Sequence, residues 1–182
     1  MLPIRYSAHF CNLSALDNEA VKPYLCLAAR LFNTVWNNAV ASIFKVAPNG
    51  NTKLEILQCA TELFLEKGYT SAYVTAIANK LDISTGNLTF HYPTKEHLLA
   101  GLVRELCKFQ CQVEENETNN DDETPIIAYL LELTMFASVC MKNPNISDLM
   151  ISAYTHSMSI EIIRKNDTRR AMKVFGKYRP QW

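Results

Sequence analysis

Apolar residues recur at helical spacing after the break at Pro48-Asn49-Gly50. From Thr52 onward they return every three or four positions, which places them on one face of a helix. Thr52 and Glu55 have the spacing of a capping box, and Gly68 is the left-handed stop that commonly ends a helix. The pattern therefore predicts a first helix over about residues 53–67. Its inward residues are Ile56, Leu57, Ala60, Leu63 and Phe64.

Further helices follow directly in the chain. A short one is predicted over about residues 74–81, and the pair Asp82-Ile83 makes a turn after it. Ser84 is a natural N-cap for a third helix, which Pro93 stops. Thr94 then caps a longer fourth helix.

The second and third helices have the spacing of a helix-turn-helix unit. Ala78 is small enough to let the two helices approach closely, and apolar residues close a small core on both sides of the turn. The outer face of the third helix then carries groups that donate, accept or stack at base edges and phosphates. Because the same spacing occurs in ordinary helical bundles, the pattern alone leaves DNA binding and plain packing open. The core residues are Ile77, Leu81, Ile83 and Leu88, and the outer residues are Thr85, Gly86, Asn87, Thr89, Phe90 and His91.

The composition of the 182 residues fits an all-α protein without a strong overall electrostatic field. The 18 Lys and Arg residues balance the 18 Asp and Glu residues, so no overall charge attracts the chain to nucleic acid or to an anionic membrane. The 5 glycines and 7 prolines are few for a loop-rich chain, and 48% apolar residues can supply a core. We expect neither a membrane span nor a secretory signal.

Cysteine and histidine positions indicate no catalytic or metal chemistry. The 6 cysteines are scattered and the 4 histidines lack ligand spacing, so we expect no metal site and no cofactor. Scattered cysteines are typical of reduced thiols in a cytoplasmic protein. There is also no Gly-rich phosphate loop, no recognisable nucleophile–base pair and no HExxH motif, which argues against an enzyme.

We expect three parts in the chain. Residues 1–50 form a poorly patterned extension with one plausible helix over about 18–45, and residues 51–99 carry the helix-turn-helix unit. Residues 100–182 form a short helical C-terminal region. An acidic connection between helices is expected over 114–124.

Two features mark the C-terminal region. Asn143-Pro144-Asn145 predicts a break between helices. Residues 164–179 contain seven basic residues against the single acid Asp167. Such a run is either a solvated helix face or a contact for phosphate.

The residues themselves resemble a known family. The stretch Ile56–Tyr69, the pair Ile77-Ala78, and the stretches Ile83–Leu88 and His91–Leu99 are similar to the amino-terminal DNA-binding domain of TetR-family transcriptional repressors. The resemblance covers about 50 of the 182 residues without a gap. It implies an all-helical homodimer that places each third helix in a major groove of a palindromic operator. It also implies a C-terminal domain that binds a small apolar or amphipathic effector and then releases the double-stranded DNA.

The same resemblance assigns DNA-facing positions. Thr75 stands at the start of the second helix, and Lys95 corresponds to the family's phosphate clamp at the amino end of the fourth helix, where charge and helix dipole act together. Tyr92 occupies a position that is usually aromatic and either packs inward or reaches phosphate. The other positions are Thr85, Gly86, Asn87, Thr89, Phe90 and His91.

The chain departs from the family pattern in several places. Tyr73 replaces the usual Ser or Thr, which weakens the cap of the second helix, and Thr75 stands where many members have arginine. Asp82 replaces a common glycine in the turn, although Asp tolerates the left-handed region better than most residues. Residues 51–99 have four lysines against five acids, so weak nonspecific affinity and a modest salt dependence are expected. The long extension and the short C-terminal region are also atypical, and dimerisation is expected by analogy.

Sensor residues are expected in the C-terminal region. Apolar and aromatic side chains there either line an effector pocket between helices or pack as an ordinary core. Cys107 and Cys111 are four apart and share a helix face, so a thiol switch is a further hypothesis. The pocket candidates are Tyr129, Phe136, Met150, Tyr154 and His156, together with Met135, Met141 and Met158.

The sequence thus predicts a DNA-binding transcriptional regulator in the bacterial cytoplasm, a repressor released from its operator by a small effector. The alternative is a helical protein-interaction module that has kept this fold but no longer senses an inducer.

Overall fold

The computed structural model describes residues 52–117 and 143–176, and eight helical residues between these two ranges. The eight are Tyr129, Leu130, Leu133, Thr134, Phe136, Ala137, Cys140 and Met141. The helix predicted over 18–45, most of the connection predicted over 114–124, and the end of the basic run lie outside the described residues, as does Met135.

The described chain is all-helical, as the sequence predicts. Six helices have defined bounds, the eight helical residues named above lie between the fourth and the fifth, and no strand occurs among the described residues. The helices are α1 (Thr52–Lys67), α2 (Val74–Lys80), α3 (Thr85–His91), α4 (Lys95–Glu117), α5 (Pro144–Thr155) and α6 (Ser157–Phe175).

Helix α1 has the predicted apolar face and ends at the predicted glycine. All five predicted inward residues are buried, and Ile56 and Phe64 are completely so. Gly68 has φ 80°, and its N–H donates to the Phe64 carbonyl at 3.0 Å, which closes the helix in the left-handed conformation that glycine adopts without strain.

The turn between α2 and α3 has the predicted geometry. Asp82 takes φ 55°, in the left-handed region, and the Ile83 N–H donates to the Ala78 carbonyl at 3.1 Å. Tyr73 precedes α2 without a side-chain cap hydrogen bond, as expected from its replacement of Ser or Thr. Ser84 caps α3, because its Oγ accepts from the Asn87 N–H at 3.1 Å.

Helix α4 is longer than the sequence pattern indicated. The acidic stretch expected to connect two helices from residue 114 is still helical through Glu117. Carboxylates are disfavoured near a helix C-terminus, so polarity was a reasonable but wrong signal for the end of this helix. The break predicted at 143–145 is the start of α5, where the Asn143 side chain accepts from the N–H groups of Asn145 and Ile146.

One apolar core joins the helix-turn-helix unit to the C-terminal helices. Helix α5 packs against α1, and α6 packs along α4. Leu98 and Leu99 of α4 are fully buried in the same cluster as Leu149 of α5 and Ile163 of α6. The two parts of the chain therefore share buried surface, and neither packs independently of the other.

Polar contacts from α5 hold the segment that links α1 to α2. The Asp148 carboxylate accepts from the Thr70 N–H at 2.7 Å and from the Thr70 hydroxyl at 2.6 Å. The Asn145 Nδ2 donates to the Glu66 carbonyl at 2.6 Å, satisfying an end carbonyl of α1. A Cβ on Gly68 would lie 2.6 Å from the Asp148 Oδ2, so glycine is required here both for its φ and for this approach.

The Asp148→Ala substitution is expected to lower the free energy of unfolding by about 1–2 kcal/mol, since it removes two charge-assisted hydrogen bonds between α5 and Thr70. Asp148→Asn keeps one acceptor oxygen and should lose about half as much. Urea unfolding followed by circular dichroism measures both. The control is Glu161→Gln, which removes an ion pair to Lys165 between well-exposed side chains and should leave stability unchanged. Equal losses in all three variants would contradict the role of Asp148.

Candidate nucleic-acid interface

Helix α3 presents nearly all of its side chains outward. Its seven residues bury only Leu88, which is 0% exposed. The α3 face, by which we mean the six other residues of this helix, is exposed throughout except for the half-buried His91. These six are Thr85, Gly86, Asn87, Thr89, Phe90 and His91.

Local hydrogen bonds fix the orientation of this face. The Ser84 cap starts the helix, and the Tyr92 N–H donates to the Leu88 carbonyl at 2.9 Å at its end. The Thr89 hydroxyl donates to the Gly86 carbonyl at 3.1 Å. The proton of that hydroxyl is therefore used inside the helix, and Thr89 offers outside partners its acceptor oxygen and its methyl group.

Two aromatic side chains of the helix-turn-helix unit are strongly exposed to solvent. Phe90 is 82% exposed. Its ring contacts the His91 ring in an edge-to-face arrangement, with the two centroids 5.2 Å apart. Tyr73, at the start of α2, is 68% exposed. The sequence pattern predicts Tyr73 only as a poor cap, although an aromatic residue where neither capping nor core packing needs one is itself a signal of an exposed contact residue. Thr75, predicted from the resemblance, is exposed in the first turn of the same helix.

Gly86 leaves an open surface on the α3 face. Helical periodicity puts Gly86 and Phe90 on the line roughly opposite the buried Leu88. A Cβ on Gly86 would meet only the Ser84 Oγ, at 3.8 Å. Packing within the chain therefore does not require glycine at this position.

Lys95 lies at the amino end of α4, and two contacts within the chain hold its side chain. Its Nζ donates to the Thr70 carbonyl at 3.3 Å and lies 4.3 Å from the centroid of the Tyr69 ring. Burial lowers the pKa of Lys95, while Asp148 acts in the opposite direction. The same packing raises the pKa of Tyr69 to about 12, mainly through burial and then through Glu96 and Asp148. Lys95 is thus a positioned ammonium rather than a freely mobile one.

Of the two roles predicted for Tyr92, packing inward or reaching phosphate, the structure shows inward packing. Its residue surface is 6% exposed, and the ring packs close to the backbone of Gly101 and 5.7 Å from the Lys53 Nζ. Burial raises the pKa of its hydroxyl. The ring therefore belongs to the support beneath α3 and α4.

The surface around α3 carries little net charge. Lys80, at the end of α2, pairs with Glu62 of α1 at 2.7 Å. Helix α3 itself contains no Asp, Glu, Lys or Arg. If DNA binds here, counterion release at α3 adds little to the affinity.

The predicted effector residues separate into two groups. A cavity of about 110 Å³ lies between α4, α5 and α6, and Phe136, Met150 and Tyr154 line it together with the buried Arg170. Tyr129 lies beside this cavity, with its ring 5.2 Å from the Arg170 guanidinium.

His156 does not line the cavity. Its Nδ1 lies 3.3 Å from the Glu96 carboxylate, and its ring meets Tyr69 edge-on at 5.4 Å. The residue ends α5 and precedes α6, and this bend directs the ring toward the amino end of α4. Among the additional candidates, Met141 is 88% exposed and does not line the cavity either.

The described part of the chain contains neither a membrane-spanning helix nor a cluster of metal ligands. No described helix has the length and apolarity to cross a membrane. No three His, Cys, Asp or Glu side chains of that part gather where they could hold a metal ion.

Comparison with known proteins identifies the family of the helix-turn-helix unit. Residues 56–102 match the family model described as bacterial regulatory proteins, tetR family. The match begins in α1, covers α2 and α3, and ends in the first part of α4. Neither the comparison with curated proteins nor that with solved structures found a match.

Cys107 is expected to resist alkylation in the folded protein, which argues against the thiol-switch hypothesis. Burial and then Asp167 raise its pKa to about 11, so at pH 7.5 only a very small fraction of the molecules carries the reactive thiolate. The Cys111 Sγ lies 2.8 Å from the Cys107 carbonyl oxygen and 3.2 Å from the Asn166 Oδ1. Iodoacetamide labelling at pH 7.5, read by peptide mass spectrometry, should leave Cys107 unmodified, whereas the same chain in urea is labelled. Rapid labelling of folded Cys107 would reinstate the switch.

Proposed function

We propose, from the premise that this chain is a DNA-binding transcriptional regulator of the TetR family, that it represses transcription by occupying a palindromic operator as a homodimer. Each subunit inserts α3 into a major groove, and the twofold symmetry of the dimer matches that of the palindrome. A small apolar or amphipathic effector bound among the C-terminal helices releases the DNA. The protein acts in the bacterial cytoplasm.

The observation that supports DNA reading most directly is the division of α3 into one buried and six outward residues. Leu88 anchors the helix, and the exposed residues include an amide, two hydroxyls and an aromatic ring. These groups match the donors, acceptors and methyl groups of the major groove. A helix that served only to pack a bundle would bury more than one of seven residues.

Lys95 and Thr75 are proposed to fix the position of α3 on the duplex. Lys95 lies at the N-terminus of α4, where the helix dipole adds to its charge and favours phosphate. Its contacts with Thr70 and Tyr69 pre-organise the ammonium, which lowers the entropy lost on binding. Thr75 supplies a hydroxyl from the first turn of α2, and such contacts orient a protein without reading bases.

Release by an effector is supported by the course of α4. This helix carries Lys95 at its amino end, and its residues Val103, Leu106 and Cys107 line the cavity. A ligand that enlarges the cavity must displace α4 or its neighbours, since the core around it is close-packed. The Asp148 contacts connect the same displacement to Thr70, whose carbonyl holds Lys95.

One observation favours the alternative, an interaction module that no longer senses an inducer. The cavity of about 110 Å³ is smaller than the roughly 300–1,000 Å³ of most ligand sites. Two measurements distinguish the proposals. Light scattering should give twice the mass of one chain, and DNA binding by that dimer supports the regulator. Failure of a folded dimer to bind any duplex in a gel-shift screen of genomic fragments would support the interaction module.

Gly86→Leu is expected to reduce DNA affinity at least about tenfold without lowering stability. A side chain at this position meets open space in the free protein but would separate α3 from the groove floor. The matched control is Gly176→Leu, at the end of α6, where a Cβ has nothing within 4 Å. Thermal unfolding and fluorescence anisotropy with labelled duplex give both readouts. Equal affinities for the two variants would exclude α3 from the interface.

Lys95→Ala is expected to weaken binding to all duplexes similarly, because a phosphate contact carries no base information. The slope of log K against log salt concentration should become shallower by about 0.9, the contribution of one phosphate contact. Lys165→Ala, which removes an equal charge from the exposed side of α6, is the control. An unchanged salt slope in a folded Lys95→Ala variant would refute the clamp.

A further inference from the structure

We propose that the α3 face reads A·T base pairs, so that the operator presents adenine and thymine, rather than guanine, to this helix. The inference rests on the proposed function and specifies which DNA the protein would select. It follows from the chemistry that the exposed residues offer and from the position of each cation in the helix-turn-helix unit.

No residue of α3 can make the contact that guanine favours. Guanine presents two acceptors, N7 and O6, in the major groove, and Arg or Lys reads them with paired donors. Helix α3 has the sequence Thr-Gly-Asn-Leu-Thr-Phe-His, and residues 52–99 contain no arginine. His91 offers at most one donor from each ring nitrogen, and its ring packs against Phe90.

None of the four lysines of the helix-turn-helix unit lies on α3, and two of them already have polar partners within the chain. Lys80 pairs with Glu62 at 2.7 Å, and Lys95 donates to the Thr70 carbonyl. Lys53, near the start of α1, lies 5.7 Å from the centroid of the Tyr92 ring, and Lys67 is the last residue of α1. Base reading therefore depends on neutral side chains.

Asn87 is the residue suited to adenine. Its side chain is exposed, and its backbone N–H is already used by the Ser84 cap, which fixes the start of the helix. A carboxamide has a donor and an acceptor side by side, and adenine presents the complementary pair at N7 and N6. We assign adenine to the position facing Asn87.

Phe90 and Thr89 are suited to thymine. The Phe90 ring is 82% exposed on the outermost line of α3, and the Thr89 hydroxyl proton is engaged with the Gly86 carbonyl. An exposed ring and a threonine methyl group contact the C5-methyl group of thymine, which no other base carries. Gly86 lies one turn before Phe90 and adds no side chain that would hold the ring away from the groove floor.

In vitro selection tests the inference. The full chain is used to select from a random duplex library, in parallel with Asn87→Ala and Phe90→Ala, two variants whose exposed side chains are not needed for packing. Wild type should enrich a two-fold motif with A·T pairs in each half-site. Asn87→Ala should lose preference at the adenine position by about 5- to 150-fold.

Replacing single thymines by uracil in the selected duplex tests the methyl contact separately. At the thymine facing Phe90, wild-type affinity should fall about fourfold, as expected for one buried methyl group. Phe90→Ala should bind more weakly and show no further loss with uracil at that position. Thymines outside the half-sites, replaced in the same way, are the control.

The outcomes separate this inference from the function on which it rests. A selected motif with G·C pairs at the positions sensitive to Asn87, or full affinity for every uracil duplex, overturns A·T reading while leaving DNA binding intact. Failure of the folded wild-type protein to enrich any duplex overturns the proposed function and this inference together.

Discussion

The burial of Leu88 is the interaction on which the proposed DNA-reading surface depends. Helix α3 has only seven residues, and an isolated helix of this length is not stable in water. Insertion of Leu88 into the core and capping by Ser84 hold it in one orientation. Every other side chain of α3 faces outward as a consequence. A rotation of this helix that exposed Leu88 would lose apolar burial, and burying the Asn87 amide in its place would cost the desolvation of a polar group.

A second constraint connects this surface to the C-terminal helices. Asp148 and Asn145 of α5 hold the segment after α1, and that segment provides the carbonyl that positions Lys95. The same α4 that begins at Lys95 lines the cavity. Changes in packing around the cavity are therefore connected through a short series of contacts to Lys95, the proposed phosphate contact. This arrangement is compatible with a two-state response, which the proposed release by an effector requires.

The low charge of the unit determines what kind of recognition it can support. Four lysines face five acids over residues 51–99, and Lys80 is neutralised by Glu62. Electrostatic attraction therefore adds little to nonspecific affinity. In the proposed complex, discrimination comes from fitting neutral groups to base edges, and the exposed phenylalanine and asparagine are the groups assigned to thymine and adenine. Weak nonspecific binding and selective base reading are both expected from the same composition.

Features that depend on residues close in sequence were predictable from the sequence. They are the apolar face of α1, the left-handed conformations of Gly68 and Asp82, the Ser84 cap and the outward α3 residues. They depend on helical period, steric limits at φ > 0 and hydrogen bonds within a few positions, all of which are local. Local patterns could not predict three other features: the inward packing of Tyr92, the contacts of Lys95 and the distance of His156 from the cavity. Some of their partners lie far along the chain, as with Thr70 for Lys95 and Glu96 for His156. Only the packing of α4, α5 and α6 brings such groups together, because contact between distant residues is a property of the folded chain and not of any local pattern.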